Sequence, residues 1–300
     1  MYTLANDGRG GLNDGCGAEH VQKAKKVPTS VDPAAAAASG TRFASLDGDA
    51  DRIVFFYCSP GSDAPVLLDG DRILILLAQY ISLLLTSAGL SGTLSLGVVQ
   101  TAYANGASTA YLKSKVPPEC HAFAATGVKH LHHRALGFDI GAYFEANGHG
   151  TVTFNDKAVQ QIQQRASSGG GEEAKQLEAL TRLINPAIGD AISDMLAVEA
   201  VLSLKGWTLS DWAGMYADLP SRMTKELVKD RTAIRTVPDE TRVTEPAELQ
   251  TAIDDIVSKV PNGRCFVRPS GTEDCVRVYA EAGSQEEADK LAEDVGVVVR

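Results

Sequence analysis

Short apolar runs alternate along most of this chain with stretches in which apolar residues recur every three or four positions. Short runs bounded by turn residues are typical of buried strands, and the second pattern is typical of amphipathic helices. The predicted strands are residues 43–46, 53–57, 93–99, 121–125, 140–144, 151–154, 264–268 and 276–281. The predicted helices are residues 69–86, 106–115, 128–136, 189–205, 210–217, 246–259 and a last helix from 284.

The order of these elements predicts a mixed α/β fold. Strands and helices alternate as far as residue 205, which indicates an α/β layer with parallel strands. From Ser221 the pattern changes to short strands with few helices, so residues 206–300 are predicted to form a separate small α+β domain. Trp207 and Trp212 are expected in the cores of their helices.

Composition and charge narrow the possible partners. The chain is 44% hydrophobic and 22% charged, as in ordinary globular proteins. Its net charge of -10 argues against nucleic-acid and anionic-membrane surfaces. Five dispersed cysteines fit a reducing compartment. No signal peptide is recognised, and the apolar run Ile73–Leu85 is too short for a bilayer, so a cytoplasmic location is expected.

The segment D-G-D-A-D-R, between two predicted strands, is the strongest candidate site. Asp47, Asp49 and Asp51 alternate with small residues, so three carboxylates can converge on one hard cation such as Mg²⁺. Arg52 follows directly and can pair with a phosphate. The alternative is a solvated turn. An EF-hand is excluded, because its glycine and glutamate positions hold Arg52 and Cys58.

A second candidate, R-P-S-G-T-E-D, resembles an anion cradle. Arg268 and Arg277 supply charge-assisted contacts, while Ser270, Gly271 and Thr272 offer hydroxyl and backbone donors. The segment lacks the Lys-Ser/Thr pair of a Walker loop. The alternative is an ordinary β-turn with surface charges.

Two further segments carry polar chemistry. Glu145, Asn147 and His149 can recognise vicinal sugar hydroxyls, although a plain hairpin turn at Asn147-Gly148 is the favoured alternative for this segment alone. In T-G-V-K-H-L-H-H-R, Lys129 is expected to contact phosphate, with the histidines mostly packed or positioning. A zinc site is disfavoured there because no cysteine or carboxylate stands at ligand spacing.

These four segments, in this order, resemble the α-D-phosphohexomutase superfamily. The longer matches F-D-I-G-A-Y-F-E-A-N-G-H-G-T, G-D-A-I-S-D-M-L and V-V-Q-T-A-Y-A-N-G resemble its phosphoacetylglucosamine mutase branch. The resemblance covers nearly the whole chain. It implies α/β domains followed by a TBP-like C-terminal α+β domain.

The resemblance also implies an activity and roles for residues. The family interconverts N-acetylglucosamine 6-phosphate and N-acetylglucosamine 1-phosphate for UDP-N-acetylglucosamine synthesis, through a bisphosphate intermediate. Arg52 and Lys129 would lie near the transferring phosphoryl group. The other implied roles are Mg²⁺ ligation by Asp47, Asp49 and Asp51, sugar recognition by Glu145, Asn147 and His149, and phosphate binding by Arg268, Ser270, Gly271, Thr272 and Arg277.

The sequence departs from the family in one respect. Family members carry a phosphoserine in a Thr-Ala-Ser-His-Asn-Pro-like loop, and no Ser-His pair occurs in this sequence. We therefore expect an N-terminally truncated fragment that lacks the phosphoserine domain. It would comprise residues 1–66 as the remainder of domain 2 with the metal loop, 67–205 as domain 3 and 206–300 as domain 4. We also expect weak Mg²⁺ binding and no turnover by the isolated chain.

Two other functions remain open at this stage. The chain could be a non-catalytic module that binds amino-sugar phosphates, since the sugar and phosphate loops are present without the serine. A related hexose-phosphate mutase of different sugar specificity is disfavoured by E-A-N-G-H, which marks the acetylglucosamine branch. The sequence gives no oligomeric state.

Overall fold

The computed structural model describes residues 4–5, 10–38, 40–59, 64–187 and 189–300. Its helices are α1 (Pro33–Ala37), α2 (Gly70–Ser87), α3 (Gly106–Lys113), α4 (Val128–Ala135), α5 (Asp156–Ser167), α6 (Gly171–Leu183), α7 (Ala191–Lys205), α8 (Leu209–Ala213), α9 (Ala247–Val257) and α10 (Gln285–Val299). Its strands are β1 (Phe43–Leu46), β2 (Ile53–Cys58), β3 (Pro65–Leu68), β4 (Leu96–Gln100), β5 (His121–Phe123), β6 (Ile140–Phe144), β7 (Gly150–Phe154), β8 (Ser221–Leu227), β9 (Arg235–Thr236), β10 (Val243–Glu245), β11 (Arg264–Pro269) and β12 (Cys275–Glu281).

The chain divides into two compact units, each built from several stretches of sequence. The first unit comprises Met1–Val99, Lys115–Ala122 and His132–Met215. The second unit comprises Gln100–Ser114, Phe123–Leu131 and Tyr216–Arg300. The helices and strands predicted from the sequence are present, most with ends shifted by a few residues.

The sheets are less parallel than the sequence predicts. Strands β1, β2 and β3 form an antiparallel sheet, and β5, β4, β6 and β7 form a second sheet in that order. Strand β4 pairs in parallel with β6, but β6 and β7 are antiparallel. The reason is the length of the β6–β7 connection, since only a crossover long enough for a helix can join parallel neighbours. The mixed α/β class is confirmed.

Helix α2 forms the core of the first unit. The Asp69 carboxylate caps it by accepting the N–H groups of Asp71 at 3.1 Å and Arg72 at 3.4 Å. Its length and apolar composition would allow a membrane span, but 72% of its 18-residue window is buried inside the protein. The helix packs against α6, α7 and β6, and these contacts account for an apolar surface on nearly every side.

The two tryptophans differ in their environments. Trp212 is fully buried, donates to the Arg72 carbonyl at 3.1 Å and meets the Phe55 ring edge-on at 5.4 Å. Trp207 is only half-buried, and the Lys205 ammonium lies 4.1 Å from its ring centre. The expectation of a helix core is therefore wrong for Trp207, because α7 ends at the left-handed Gly206 before reaching it.

In the second unit, residues 216–300 form an α+β structure, as their strand-rich sequence predicts, whereas residues 206–215 belong to the first unit. Strands β11, β12 and β8 form an antiparallel sheet in that order, and β9 pairs with β10. Helices α9 and α10 close its apolar core, whose members include Ile253, Val267, Val278, Leu291 and Val295.

Gly70, in the first turn of α2, provides a test of how tightly this helix is packed. A Cβ at Gly70 would lie 1.8 Å from the Glu145 carbonyl oxygen, whereas one at Gly92 would meet nothing within 4 Å. We expect Gly70→Ala to lower the free energy of unfolding in urea by about 1–3 kcal/mol. Gly92→Ala should change it by less than about 0.5 kcal/mol. Equal stabilities for the two variants would contradict the close approach.

Candidate functional site

The acidic loop of residues 47–51 joins β1 to β2 and is held by its own backbone. The Asp47 carboxylate accepts the N–H groups of Asp51 and Arg52, both at 3.1 Å. The Ala50 N–H donates to the Asp47 carbonyl at 3.2 Å. Ala50 has φ +58°, a left-handed conformation that costs an L-residue about 1–2 kcal/mol. The loop is thus a tight turn whose shape is fixed before any ligand binds.

The three aspartates form a cluster whose chemistry suits a hard cation. One oxygen from each of Asp47, Asp49 and Asp51 lies within 4.8 Å of the others. In the part of the chain that the structure describes, this is the one group of three or more metal-ligating side chains. Carboxylate oxygens are preferred ligands of Mg²⁺ and Ca²⁺. The donor set therefore fits the predicted magnesium ion.

Arg52 partly balances the negative charge of this cluster. Its Nε lies 3.7 Å from Asp47 Oδ2 and 3.6 Å from Asp51 Oδ1, and its Nη1 lies 3.9 Å from Glu19 Oε2. The pKa of Glu19 is lowered, chiefly by a hydrogen bond from Lys23 and by that ammonium's charge, with a smaller contribution from Arg52. These ion pairs hold the guanidinium beside the carboxylates.

The hairpin of residues 145–149 between β6 and β7 presents the predicted sugar-binding side chains. The Gly148 N–H donates to the Glu145 carbonyl, and the Glu145 N–H donates to the His149 carbonyl, both at 2.8 Å. The Asn147 carboxamide accepts the His149 N–H at 2.9 Å. A hairpin turn is therefore present, and it also brings three polar side chains into one short loop.

The acidic loop and this hairpin are in direct contact within the first unit. The Ile53 N–H donates to the Gly148 carbonyl at 3.2 Å, and Arg52 and His149 form an isolated β-bridge. His149 Nδ1 lies 3.4 Å from Asp51 Oδ2. The sequence separates these segments by almost a hundred residues, and the structure joins them into one polar surface.

The start of helix α7 supports both loops. The Ala191 N–H donates to the Ala50 carbonyl at 3.0 Å. A Cβ at Gly189 would lie 2.6 Å from His149 Cδ2. The Asp190 carboxylate caps α7 by accepting the Ile192 and Ser193 N–H groups at 3.1 and 3.2 Å. Gly189 therefore leaves space for the His149 ring.

The predicted phosphate loop lies in the second unit, between β11 and β12. Arg268 and Arg277 are directly opposite each other in the register of β11 and β12, so the two arginines are neighbours near one end of the sheet. The Ser270 hydroxyl oxygen accepts the Thr272 and Glu273 N–H groups, both at 3.3 Å. A Cβ at Gly271 would meet nothing within 4 Å, so the protein's own packing does not require a glycine there.

Lys129 is an exposed residue in the first turn of α4, also in the second unit. The expectation of packed histidines is correct for His132, whose Nδ1 lies 2.9 Å from the Tyr143 hydroxyl. His130 and His133 are exposed, so neither of them is packed. Two of the three imidazoles therefore face solvent on the helix surface.

Several supporting residues were not predicted. Arg231 donates to the Gly271 carbonyl at 3.2 Å and pairs with Asp274 at 3.4 Å, which braces the phosphate loop. Gly70 and Gly189 permit the close approaches described above. In the sequence, both glycines precede an aspartate at the start of a predicted helix. The sequence does not show which residue each glycine approaches.

Comparisons with known proteins agree with the fold and the motifs. The family model described as phosphoacetylglucosamine mutase AMG1, domain III, matches residues 69–207. The model for the phosphoglucomutase/phosphomannomutase C-terminal domain matches residues 231–296. The chain is 49% identical to the phosphoacetylglucosamine mutase of Mus musculus over 99% of its own length and 54% of the relative's. It is 44% identical to that of Saccharomyces cerevisiae over 95% of its own length and 51% of the relative's.

Solved structures give the same result. The crystal structure of Aspergillus fumigatus N-acetylphosphoglucosamine mutase in complex with GlcNAc-6P and magnesium superposes with a TM-score of 0.86 at 47% identity. It covers 96% of this chain, and this chain covers 57% of that structure. A substrate complex of N-acetylglucosamine-phosphate mutase, of the α-D-phosphohexomutase superfamily, has a TM-score of 0.86 at 42% identity. The chain spans about half the length of the relatives it matches.

The fold and the two loops thus define a phosphohexomutase chain of the α-D-phosphohexomutase superfamily. Within that superfamily, the chain belongs to the phosphoacetylglucosamine mutase family. The resemblance inferred from the four motifs is confirmed.

Gly189→Ala tests whether α7 positions His149. The added methyl group would overlap the imidazole ring, so we expect the His149 Cε1–Hε1 NMR signal to move while Gly92→Ala leaves it in place. His149→Gln identifies that signal by its loss. An unchanged His149 signal in Gly189→Ala would show that the ring does not depend on this space.

Proposed function

We propose that this chain forms the metal-, sugar- and phosphate-binding part of a phosphoacetylglucosamine mutase, which interconverts N-acetylglucosamine 6-phosphate and 1-phosphate. The observation that carries the proposal is the direct contact between the Asp47–Asp51 loop and the Glu145–His149 hairpin. A mutase must hold a sugar ring beside the charge centre where phosphoryl groups transfer. That contact supports such an arrangement within the first unit.

In this proposal the acidic loop binds Mg²⁺ through Asp47, Asp49 and Asp51. A bound Mg²⁺ would offset negative charge on a phosphoryl group. Arg52 adds N–H donors that match phosphate oxygens, and its ion pairs with Asp47 and Asp51 orient it. Proteins catalyse phosphoryl transfer mainly by positioning the reacting groups and by stabilising charge.

The remaining residues bind the rest of the substrate. Glu145, Asn147 and His149 recognise sugar hydroxyls through acceptors and donors held on one hairpin. Arg268, Ser270, Gly271, Thr272 and Arg277 hold the phosphate that does not react. Lys129, like Arg52, supplies positive charge to the transferring phosphoryl group. The partners are the N-acetylglucosamine phosphates and their bisphosphate intermediate, with no nucleic acid or membrane.

The family resemblance supports a domain division and a location as further elements of the proposal. Residues 1–66 belong to domain 2 with the metal loop, residues 67–205 to domain 3, and residues 206–300 to domain 4. The family models cover 69–207 and 231–296. The relatives are metabolic enzymes, which supports a cytoplasmic location.

Removing one carboxylate should weaken metal binding. We expect Mg²⁺ titrated into the chain to bind in calorimetry, and Asp51→Asn to weaken binding by about tenfold, because it removes one charged ligand. Glu172→Gln, at a strongly exposed acid of the same unit, should leave binding unchanged. Equal metal affinity in Asp51→Asn and the parent chain would argue against the aspartate site.

Sugar-phosphate binding tests the substrate assignment. We expect the chain to bind N-acetylglucosamine 6-phosphate more tightly than glucose 6-phosphate. Arg268→Gln should weaken that binding by about tenfold or more, because it removes a charged hydrogen bond to phosphate that contributes about 1.5–3 kcal/mol. Arg235→Gln, at an exposed arginine of the same unit, serves as the control.

Turnover separates the catalytic from the binding-module alternative. Because the sequence contains no Ser-His pair, we expect the 300-residue chain on its own to bind the sugar phosphate without converting it. Conversion by the homogeneous chain would contradict this expectation. Failure to bind either sugar phosphate would overturn the proposed function itself.

A further inference from the structure

Glu240, which no motif includes, makes three contacts through one carboxylate oxygen in the second unit. Its Oε2 accepts the Thr126 N–H at 2.9 Å and the Thr126 hydroxyl at 2.6 Å. The same oxygen lies 2.9 Å from Arg268 Nε. Glu240 therefore connects the end of β11, where the phosphate loop begins, to the segment that leads into Lys129.

The backbone at Glu240 is unusual for this residue type. Glu240 has φ +62°, in the left-handed region that favours glycine. It lies in the turn between β9 and β10, where its N–H donates to the Val237 carbonyl at 2.9 Å. A glycine would satisfy this turn with less strain. The glutamate side chain therefore has a role that the turn itself does not require.

The contact restrains Arg268. The Arg268 side chain is 22% exposed and that of Glu240 is 18% exposed, so the ion pair is partly shielded from water. Burial alone would lower the pKa of Arg268, but the nearby Glu240 carboxylate raises it above its usual value. A guanidinium is charged in any protein environment, so what the ion pair adds is restraint: the free rotation of a long side chain is reduced before a ligand arrives.

We propose that Glu240 is a positioning residue for phosphate recognition, which fixes Arg268 and ties it to the Thr126–Lys129 segment. The inference rests on the proposed function. A guanidinium carries five N–H donors in a planar fork, so a carboxylate at Nε leaves other donors for a phosphate. The backbone N–H and hydroxyl of Thr126 donate to the same carboxylate oxygen, which keeps Glu240 in place when Arg268 binds an anion.

Competition between Glu240 and phosphate for Arg268 would have the opposite effect on ligand affinity from positioning. If the Glu240 carboxylate competed with phosphate for Arg268, its removal would strengthen binding. If Glu240 positions Arg268, its removal weakens binding, because the arginine must be ordered each time a ligand binds. Ordering one long side chain corresponds to about a two- to tenfold loss of affinity.

The experiment measures binding of N-acetylglucosamine 6-phosphate to the parent chain, Glu240→Gln and Glu240→Gly by calorimetry. We expect affinity to fall in the order parent, Gln variant, Gly variant, because glutamine keeps an acceptor but loses the charge. In the Gly variant, relief of the left-handed backbone strain offsets part of the loss of the three side-chain contacts, so this variant should remain folded in urea at the concentrations used for binding. A loss of affinity in variants that are fully folded under the binding conditions separates positioning from folding.

The controls distinguish failure of the proposed function from failure of the role of Glu240. Glu245→Gln, at an exposed acid of the same hairpin that pairs with Arg235, should bind like the parent. A parent chain that does not bind the sugar phosphate would overturn the proposed function. A parent chain that binds, with both Glu240 variants binding equally or more tightly, would overturn the role of Glu240 alone.

Discussion

The contact between the acidic loop and the 145–149 hairpin is the constraint on which the candidate site depends. One backbone hydrogen bond, from Ile53 to Gly148, and the bridge between Arg52 and His149 join them. Because these are main-chain contacts, they fix the positions of the carboxylates and the imidazole relative to each other. The side chains of Asp51 and His149 then lie 3.4 Å apart without needing a ligand to bring them together.

Close backbone approach makes this contact possible. A Cβ at Gly148 would lie 1.9 Å from the Ile53 carbonyl oxygen, and one at Gly70 would overlap the Glu145 carbonyl. Both glycines therefore bring segments together at distances that any side chain would prevent. The first turn of α2, the hairpin and strand β2 are consequently packed as one rigid support for the polar side chains.

Each of the two units pairs arginine side chains with carboxylates. Two of the arginines expected to meet a phosphate, Arg52 and Arg268, contact carboxylates that orient them. Arg52 lies among Glu19, Asp47 and Asp51, and Arg268 pairs with Glu240. Such pairs restrain long side chains that would otherwise lose entropy on binding.

The sequence by itself determined the elements, the class of fold and the chemistry of each loop. Alternation and capping signals are local, so the strands at residues 43–46 and 140–144 and the Asp69-capped helix α2 were predictable within a few residues. Spacing also indicated the aspartate cluster, since its three ligands lie in one turn. Tertiary structure decided strand direction, the exposure of Trp207 and the partners of each loop. Gly189, Arg231 and Glu240 contact segments that are distant in sequence, and the residues next to them in the chain do not predict which segments these are.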